Sequence, residues 1–388
     1  MTNKLLLSIL ALFLFTTVFG QMSDDEDLGG RDIRYNPIRH AAPFLTISPD
    51  SRSSGMGDVG VATTPDAYSS NWNIGKLANI DGQTGIALGY TPWLKSLVND
   101  IHLSYLTGYF RLDENQVVSG SLRYFSLGEI TFRDNTGGEI RQFIPNEFAI
   151  DGGYSRRLGP TFSMGISGRY MYSNLTGTMT SGSETLKAGH AFAVDLGSYY
   201  HQDVNLGEYN GKVTAGLAFT NIGTKVTYSE NNKNFLPMNL RLGTGLLIDL
   251  DQYNSIAFYL DMNKLLVPTP DPTDSLDYNR QNTSVAAAIF QSFSDAPGVN
   301  GSVFKEEIQE IMWSFGVEYL YDKKLAIRTG YFHENARKGN RKYITAGAGF
   351  KLNVLSMDLS YLISTEANHP LSKTLRFSLV LDIGAMID

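Results

Sequence analysis

The sequence predicts an all-β fold, a 14-stranded antiparallel transmembrane β-barrel with an N-terminal hatch, or plug, segment in its lumen. Three observations carry that expectation. Polar and apolar residues alternate with period two in segment after segment, most of them ten or more residues long, the length of a tilted strand that crosses a bilayer. The connections between these segments alternate between short and long, as the two rims of an outer-membrane barrel do. Finally, only 18% of the 388 residues are charged, while Gly (38), Tyr (21) and Phe (21) are abundant.

In chain order, residues 1–20, MTNKLLLSILALFLFTTVFG, read as a signal peptide: Lys4 precedes a short apolar run, with a small residue before Gln21. Beyond it no stretch of 18 apolar residues occurs, so no transmembrane helix is expected. Residues 21–83 form a periplasmic leader, acidic in MSDDEDLGGRD, followed by the hatch, which is Gly/Ser/Thr-rich and broken by Pro43, Pro49 and Pro65. Such a segment can pack irregularly where protein rather than lipid meets its backbone. Residues 84–388 form the barrel. Its strands are expected near 84–91, 100–110, 115–126, 147–157, 161–173, 190–202, 211–220, 238–250, 253–264, 312–321, 324–332, 341–352, 354–363 and 373–384. The alternation is plain in RKYITAGAGFKL, where Ile344, Ala346, Ala348, Phe350 and Leu352 share one face. Connections after even-numbered strands are short (RLDE, LGP, the longer DVNLGEYN, DQ, DK, N), and those after odd-numbered strands are mostly long. The expected location is the bacterial outer membrane, with the barrel in contact with outer-membrane lipid and the long loops outside the cell.

The polar faces of these strands carry Arg123, Arg157, Arg169, Arg241, Arg328, Lys351 and Arg376 against Asp151, Asp195, Asp261, Glu318, Asp358 and Asp382. This near balance suits a lumen in which charges pair around a plug better than an open diffusion pore. Tyr170, Tyr172, Tyr319, Tyr321 and Tyr331 lie near strand ends and read as interfacial girdles.

Several function classes drop out. A net charge of -7 gives no reason to expect nucleic acid. The absence of cysteine excludes disulfides, thiolate metal sites and a cysteine nucleophile. The six histidines are scattered, with no HExxH or G-x-S-x-G motif, so no catalytic residue, metal or cofactor is expected and the chain reads as a non-enzyme. One motif does point to an enzyme: Gly55, Gly57 and Gly60 in SGMGDVGV satisfy G-x-G-x-x-G. A dinucleotide turn needs a core strand before the first glycine and a helix after the third. Pro49–Ser54 is no such strand, and Pro65 interrupts any helix, so the glycines are assigned to tight packing in the lumen.

The stretch PFLTISPDSRSSGMGDVGVATTPDAYSSNWN, with Asp66-Ala67-Tyr68, Asn71-Trp72-Asn73 and Lys76-Leu77-Ala78, resembles the N-terminal hatch of FadL-like outer-membrane barrels. Those barrels have fourteen strands. Within that superfamily the sequence is most similar to the PorV family, outer-membrane components of the Bacteroidetes type IX secretion system. The hatch residues that carry the resemblance are Arg52, Gly55, Gly57, Asp58, Gly60, Asp66, Asn71, Trp72 and Asn73. One departure is visible: Asn73-Ile74-Gly75 stands where the family has Asn-Pro-Ala, and Gly75 can supply a tight turn without proline. The resemblance implies binding of the C-terminal signal domain of exported cargo and its transfer from the translocon barrel to a sortase-like surface attachment protein. The wider superfamily implies an alternative, transport of hydrophobic small molecules. A lipid hydrolase would need a serine and a histidine brought together across strands.

The largest insertion, residues 265–311, begins Pro/Asp-rich and then carries two short helical patterns, NTSVAAAIFQSF and SVFKEEIQEIM. In the second, Phe304, Ile308, Ile311 and Met312 can share a face opposite Glu306, Glu307 and Glu310. That face either caps the barrel's own mouth or, with Phe290 and Phe293, forms a docking surface for a partner or cargo.

Overall fold

Alternation places every second side chain of a strand on the same face, and a strand whose outer face is apolar and inner face polar can only close around a polar lumen in a bilayer. The computed structural model has that form. It describes residues 35–93, 100–133, 136–177, 179–181, 184–229, 232–271, 278–298, 302–366 and 371–384. The expected signal peptide (1–20) and most of the expected leader (21–34) lie outside the described residues. Asn36–Asp388 form one compact unit.

Twenty strands follow one another among the described residues. They are β1 (Thr84–Pro92), β2 (Ile101–Asp113), β3 (Gln116–Leu127), β4 (Ile130–Arg133), β5 (Glu139–Phe143), β6 (Asn146–Arg157) and β7 (Phe162–Asn174). Next come β8 (Met179–Ser181), β9 (Glu184–Leu186), β10 (Gly189–Leu206), β11 (Tyr209–Gly223), β12 (Val226–Ser229) and β13 (Asn232–Asn234). The last are β14 (Asn239–Asp249), β15 (Asn254–Leu265), β16 (Met312–Tyr321), β17 (Leu325–His333), β18 (Lys342–Leu352), β19 (Leu355–Ser364) and β20 (Thr374–Asp382). Fourteen of them close a barrel in the order β1-β2-β3-β6-β7-β10-β11-β14-β15-β16-β17-β18-β19-β20. Closure is antiparallel, β1 on β20, with Gly85 opposite Asp382 and Tyr90 opposite Phe377.

The other six strands pair as β4-β5, β8-β9 and β12-β13, three hairpins that stand on the long-loop rim. The sequence pattern did not distinguish them from loop. Both faces of β4 and β5 meet solvent, so no alternation marks them. A second difference concerns DVNLGEYN, expected as a connection. Here β10 runs for 18 residues and β11 for 15, Leu206 pairs with Tyr209, and only Gly207 and Glu208 turn the chain. This hairpin extends further at the short-turn rim, where Val204 and Leu206 share one face and Asp203 and Asn205 the other.

Registers align the outward apolar residues into a belt. Met357 pairs with Leu379, Leu379 with Leu88, Leu88 with Leu106, Leu106 with Leu122, and Leu122 with Ile150; all are exposed. Rings edge it at the long-loop rim, where Phe148, Tyr170, Tyr172, His190 and Phe192 stack on one another and the Tyr170 hydroxyl meets His190 Nδ1 at 2.7 Å. Aromatic rings at this depth are interfacial anchors. A closed barrel with an apolar belt is an outer-membrane structure.

Leu88 sits within this belt, so Leu88→Arg places a guanidinium against acyl chains. The expected cost is about 2–4 kcal/mol at mid-bilayer depth, read from denaturant unfolding in lipid vesicles. A loss below about 1 kcal/mol would mean that this ring lies near the interface.

Candidate functional site: the hatch and the extracellular loop

The described chain enters at the long-loop rim. Asn36 N donates to Arg337 O (2.7 Å) and Ala41 N to Phe235 O (2.8 Å). Asn36 thus stands at the extracellular rim. The hatch then descends through the lumen and leaves at the short-turn rim, where Arg157 Nε donates to Asn79 Oδ1 (2.9 Å) and β1 begins. Near the entry, Phe44, Leu45 and Ile47 pack with Leu103, Phe125, Ala149 and Met171 of the wall.

Asp50 organises the upper hatch. One carboxylate oxygen caps the four-residue helix α1 (Ser51–Ser54) by accepting from Ser53 N (2.7 Å), and the other accepts from Trp72 Nε1 (2.7 Å). Burial raises this carboxyl to about 6, helped by the charge of Asp66 and opposed by these hydrogen bonds. A second short helix, α2 (Ser69–Trp72), leads to Asn73. The Asn73 side chain accepts from Gly75 N (3.0 Å) and donates to Val61 O (3.0 Å) and Ser198 O (2.9 Å). A 3-10 turn follows at Ile74–Asn79. Gly75 is needed here for close approach: a Cβ would lie 2.7 Å from Gly197 O. Lys76, fully buried, donates to Gly60 O and Thr63 Oγ1, each at 2.7 Å. Burial lowers its ammonium to about 8.

An unbroken chain of ion pairs ties the hatch to the wall. Arg52 grips Glu318 of β16 with Nε (3.1 Å) and Nη2 (2.9 Å), and its Nη1 reaches Asp66 (2.9 Å) and Thr64 O (3.0 Å). Glu318 also accepts from Arg328 Nε (2.7 Å), and Arg328 Nη1 reaches Asp358 (2.6 Å). Charges of alternating sign thus run Asp66–Arg52–Glu318–Arg328–Asp358, and the two-pronged Arg52–Glu318 geometry is the strongest kind of such pair. On the other side, Arg169 bridges Asp151 (2.6 Å) and Asp195 (3.0 Å) within the wall. Asp261 accepts from both Gly60 N (2.7 Å) and Val61 N (2.9 Å). Asp58 accepts from the Tyr343 hydroxyl at 2.5 Å, and Asn71 Oδ1 accepts from Arg123.

Two of the three glycines of the G-x-G-x-x-G pattern sit where no side chain fits, and the third, Gly55, lies close against Gly347 of the wall. Gly57 has φ +72, and a Cβ there would lie 2.7 Å from Tyr331 N; at Gly60 it would lie 2.2 Å from the Trp72 ring. The wall answers with inward glycines that the sequence reading did not single out. A Cβ on Gly330 would meet Met56 C at 2.0 Å, and one on Gly216 would meet Val61 O at 2.4 Å. Period two marks these wall positions as lumen-facing, and a glycine at such a position is the available signal for close backbone approach.

On the long loop, three helices are described: α3 (Tyr278–Asn282), α4 (Val285–Gln291) and α5 (Val303–Gln309). The acidic face of α5 is the buried one. Glu306 and Glu310 pair with Lys338 (2.5 and 2.9 Å), and Glu307 and Glu310 pair with Lys264 (2.8 and 2.7 Å). Thr269 Oγ1, Ala296 N and Gly298 N donate to the same carboxylates. The opposite face points away: Phe304 is 74% exposed and Ile308 45%, and earlier in the same loop Phe290 is 78% and Phe293 50% exposed. The apolar face therefore does not cap the mouth; the glutamates anchor the helix instead. Ile311 is half-buried and Met312 already belongs to β16, so neither shares the exposed face. Lys264 and Lys338 were not among the residues singled out, because nothing local pairs a strand-end lysine with a helix forty residues away.

Over residues 31–272 the sequence matches the family described as Type IX secretion system protein PorV. The chain belongs to the PorV family. None of the curated proteins matches the sequence. Among solved structures it is similar to the Pseudomonas putida toluene transporter TodX (10% identity, TM-score 0.47, 84% of this chain and 95% of that one). It is also similar to the Ralstonia pickettii toluene transporter TbuX (9%, 0.43, 85% and 95%) and to a Pseudomonas aeruginosa FadL homologue (10%, 0.40, 86% and 98%). In this PorV-family chain, then, hatch residues Arg52, Asp58, Asn71 and Asn73 bind the wall or the hatch itself, Asp66 pairs within the hatch, and the loop residues Phe290, Phe293, Phe304 and Ile308 face outward.

Two expected outcomes follow for the PorV-family hatch. Glu318→Ala leaves Arg52 and Arg328 buried without their shared partner and should cost about 3–5 kcal/mol, seen as earlier denaturation and protease access to residues 50–66. An unchanged hatch would mean that Asp66 and Asp358 suffice. Lys76 releases its proton at about 8 when folded and at about 10.4 when unfolded. Between those values the unfolded chain holds more protons, so this residue's contribution to stability rises with pH. The unfolding free energy of the wild type minus that of Lys76→Met should therefore increase from pH 7 to 9.5; a flat or falling difference would contradict the buried, proton-releasing lysine.

Proposed function

We propose that this chain is a surface-facing platform of type IX secretion, receiving the C-terminal signal domain of exported proteins from the translocon barrel. It then passes the cargo to a sortase-like attachment protein and makes or breaks no covalent bond itself. The observation that carries the reading is the orientation of α5. Its carboxylates are held by Lys264 and Lys338, and Phe304 and Ile308, like Phe290 and Phe293 earlier in the same loop, are left in water. Exposed aromatic clusters of this kind are costly for a solitary protein and are the usual anchors of an interface. Membership of the PorV family supports the system, and the outward face supports contact with a partner outside the cell.

Uptake of hydrophobic small molecules is the competing reading, favoured by a cavity at the mouth whose wall is polar in part and apolar at Leu265, Met312 and Phe332. It requires a route past a hatch bonded to the wall on several sides.

Exchange of Phe290 and Phe304 together for Ser leaves the glutamate anchors in place. Binding of a purified cargo signal domain to the detergent-solubilised barrel should weaken tenfold or more, with heat-modifiable gel mobility unchanged. Equal affinity of the double variant removes this face as the docking site.

A further inference from the structure

A second cavity, about 410 Å³, opens on the outer surface of the barrel rather than into the lumen. The registers of β10, β11, β14 and β15 show how it forms. Tyr200 pairs with Ala215, Ala215 with Thr244, and Thr244 with Leu260. One row toward the long-loop rim, Ser198 pairs with Leu217, Leu217 with Leu242, and Leu242 with Met262. These residues face outward, because the alternate ones beside them, such as Tyr199, Thr214 and Asp261, are buried toward the lumen. One row toward the short-turn rim, Val213 pairs with Leu246 and Leu246 with Phe258, and the side chains are large again. Ser198, Ala215 and Thr244 thus leave a notch walled by Tyr200, Leu217, Leu242, Leu260 and Met262.

The hatch accounts for the inner face of this wall and not for the notch. Gly216 and Gly243 pair behind it; a Cβ on Gly216 would lie 2.4 Å from Val61 O, and one on Gly243 2.8 Å from Val61 Cβ. Asn73 Nδ2 donates to Ser198 O (2.9 Å) at the same place. Those approaches require small residues on the lumen side. Period two turns the side chains of Ser198, Ala215 and Thr244 the other way, so the hatch sets no limit on their size. The wall is bare on both faces here.

Where the notch lies decides what fills it. It is continuous with the apolar belt, so acyl chains rather than water reach it. A gap left empty forfeits the dispersion contacts of the atoms that line it. None of its lining residues is charged, and its volume falls within the ~300–1,000 Å³ of small-ligand sites. Phe162, which edges it, is the first residue of β7, and Tyr200 is 40% exposed; both rings stand toward the periplasmic headgroups. Ser198 and Thr244 bring hydroxyls that can donate to an ester carbonyl.

We propose that the notch over Ala215 and Thr244 binds one phospholipid of the periplasmic leaflet, its acyl chain against Leu217, Leu242 and Leu260 and its ester end toward Tyr200. The chain completes the barrel wall where the hatch presses from inside. This site goes beyond the docking role proposed above and does not depend on it.

The test is native mass spectrometry of the full-length protein, stripped of lipid in detergent and then titrated with dioleoyl phosphatidylethanolamine. The wild type is expected to retain a single lipid. Ala215→Leu combined with Thr244→Leu fills the notch with apolar side chains. Retention should fall about tenfold or more, the loss of roughly two buried CH₂ groups. Leu122→Phe enlarges the belt on β3 instead and should retain lipid as the wild type does, with heat-modifiable gel mobility as the check on folding. A second measurement covers the case in which the filled variant does not fold. The chain has no cysteine, so Val213→Cys beside the notch and Leu122→Cys away from it can each carry a single fluorophore. An equimolar amount of phospholipid with brominated chains should quench the label at position 213 and leave that at 122 unaffected. Equal retention by the wild type and the filled variant, equal quenching at the two positions, or no lipid retained by the wild type would each overturn the proposal.

Discussion

A guanidinium carried into a bilayer-spanning barrel has to meet an anion there, and Arg52 on Glu318 is where this chain meets that requirement. The pair joins two segments far apart in sequence, hatch and β16, with two parallel hydrogen bonds. Because Glu318 is shared with Arg328, and Arg328 with Asp358, fixing Arg52 also fixes the relative position of β16, β17 and β19 around the hatch. The backbone of α1 then lies against β18 to β20, with Ser51 N on Ser378 Oγ (2.7 Å) and Gly57 N on Thr345 Oγ1 (2.8 Å). Those approaches are possible only because both surfaces are stripped of side chains, by Gly55 and Gly57 on the hatch and Gly330 and Gly347 on the wall. The electrostatic and steric conditions are one condition: charges reach each other because the backbones can touch.

The same rule, that a buried charge must be answered, explains the extracellular loop. Seven residues of α5 offer two faces, and an isolated amphipathic helix would turn its apolar face to the protein. Here the rim beneath it presents Lys264 and Lys338, which are themselves buried and need carboxylates. Three glutamates answer two lysines, and the remaining acceptor capacity is taken by Thr269, Ala296 N and Gly298 N. With the acidic face committed inward, Phe304 and Ile308 have no choice but water or a partner. The exposed patch is thus a consequence of the anchor beneath it.

Much of this was legible in the sequence, and the legible part is the part written in local periodicity. Strands such as β18 announce themselves because lipid and lumen impose opposite demands on alternate residues, and the alternation of loop lengths gives the orientation. The G-x-G-x-x-G pattern was legible as packing because both of its flanks forbid a nucleotide turn. What the sequence did not show is what depends on partners distant in the chain. The hairpin β4-β5 meets solvent on both faces and has no alternation to reveal it, and in β12 the burial of Val226 depends on partners elsewhere in the chain. The entry of the hatch at the extracellular rim rests on Asn36 meeting Arg337, some three hundred residues on. The inward face of α5 is decided by Lys264 and Lys338, which no helical pattern contains.

These constraints bear on where function can sit. To open the lumen, the hatch would have to leave Glu318, Asp261, Thr345 and Ser378 at once. Breaking a buried pair by removing one partner costs about 3–5 kcal/mol, and the backbone donors of Gly57, Gly60 and Val61 would lose their acceptors as well. Displacement of that size needs a source of work that a passively diffusing solute does not bring. The extracellular rim carries no such penalty. Its apolar face is already in water, so a partner arriving there gains contacts without first breaking any. The hatch and the rim therefore differ in kind: the plug is bonded to the wall on several sides, and the exposed apolar surface lies on the side that faces out.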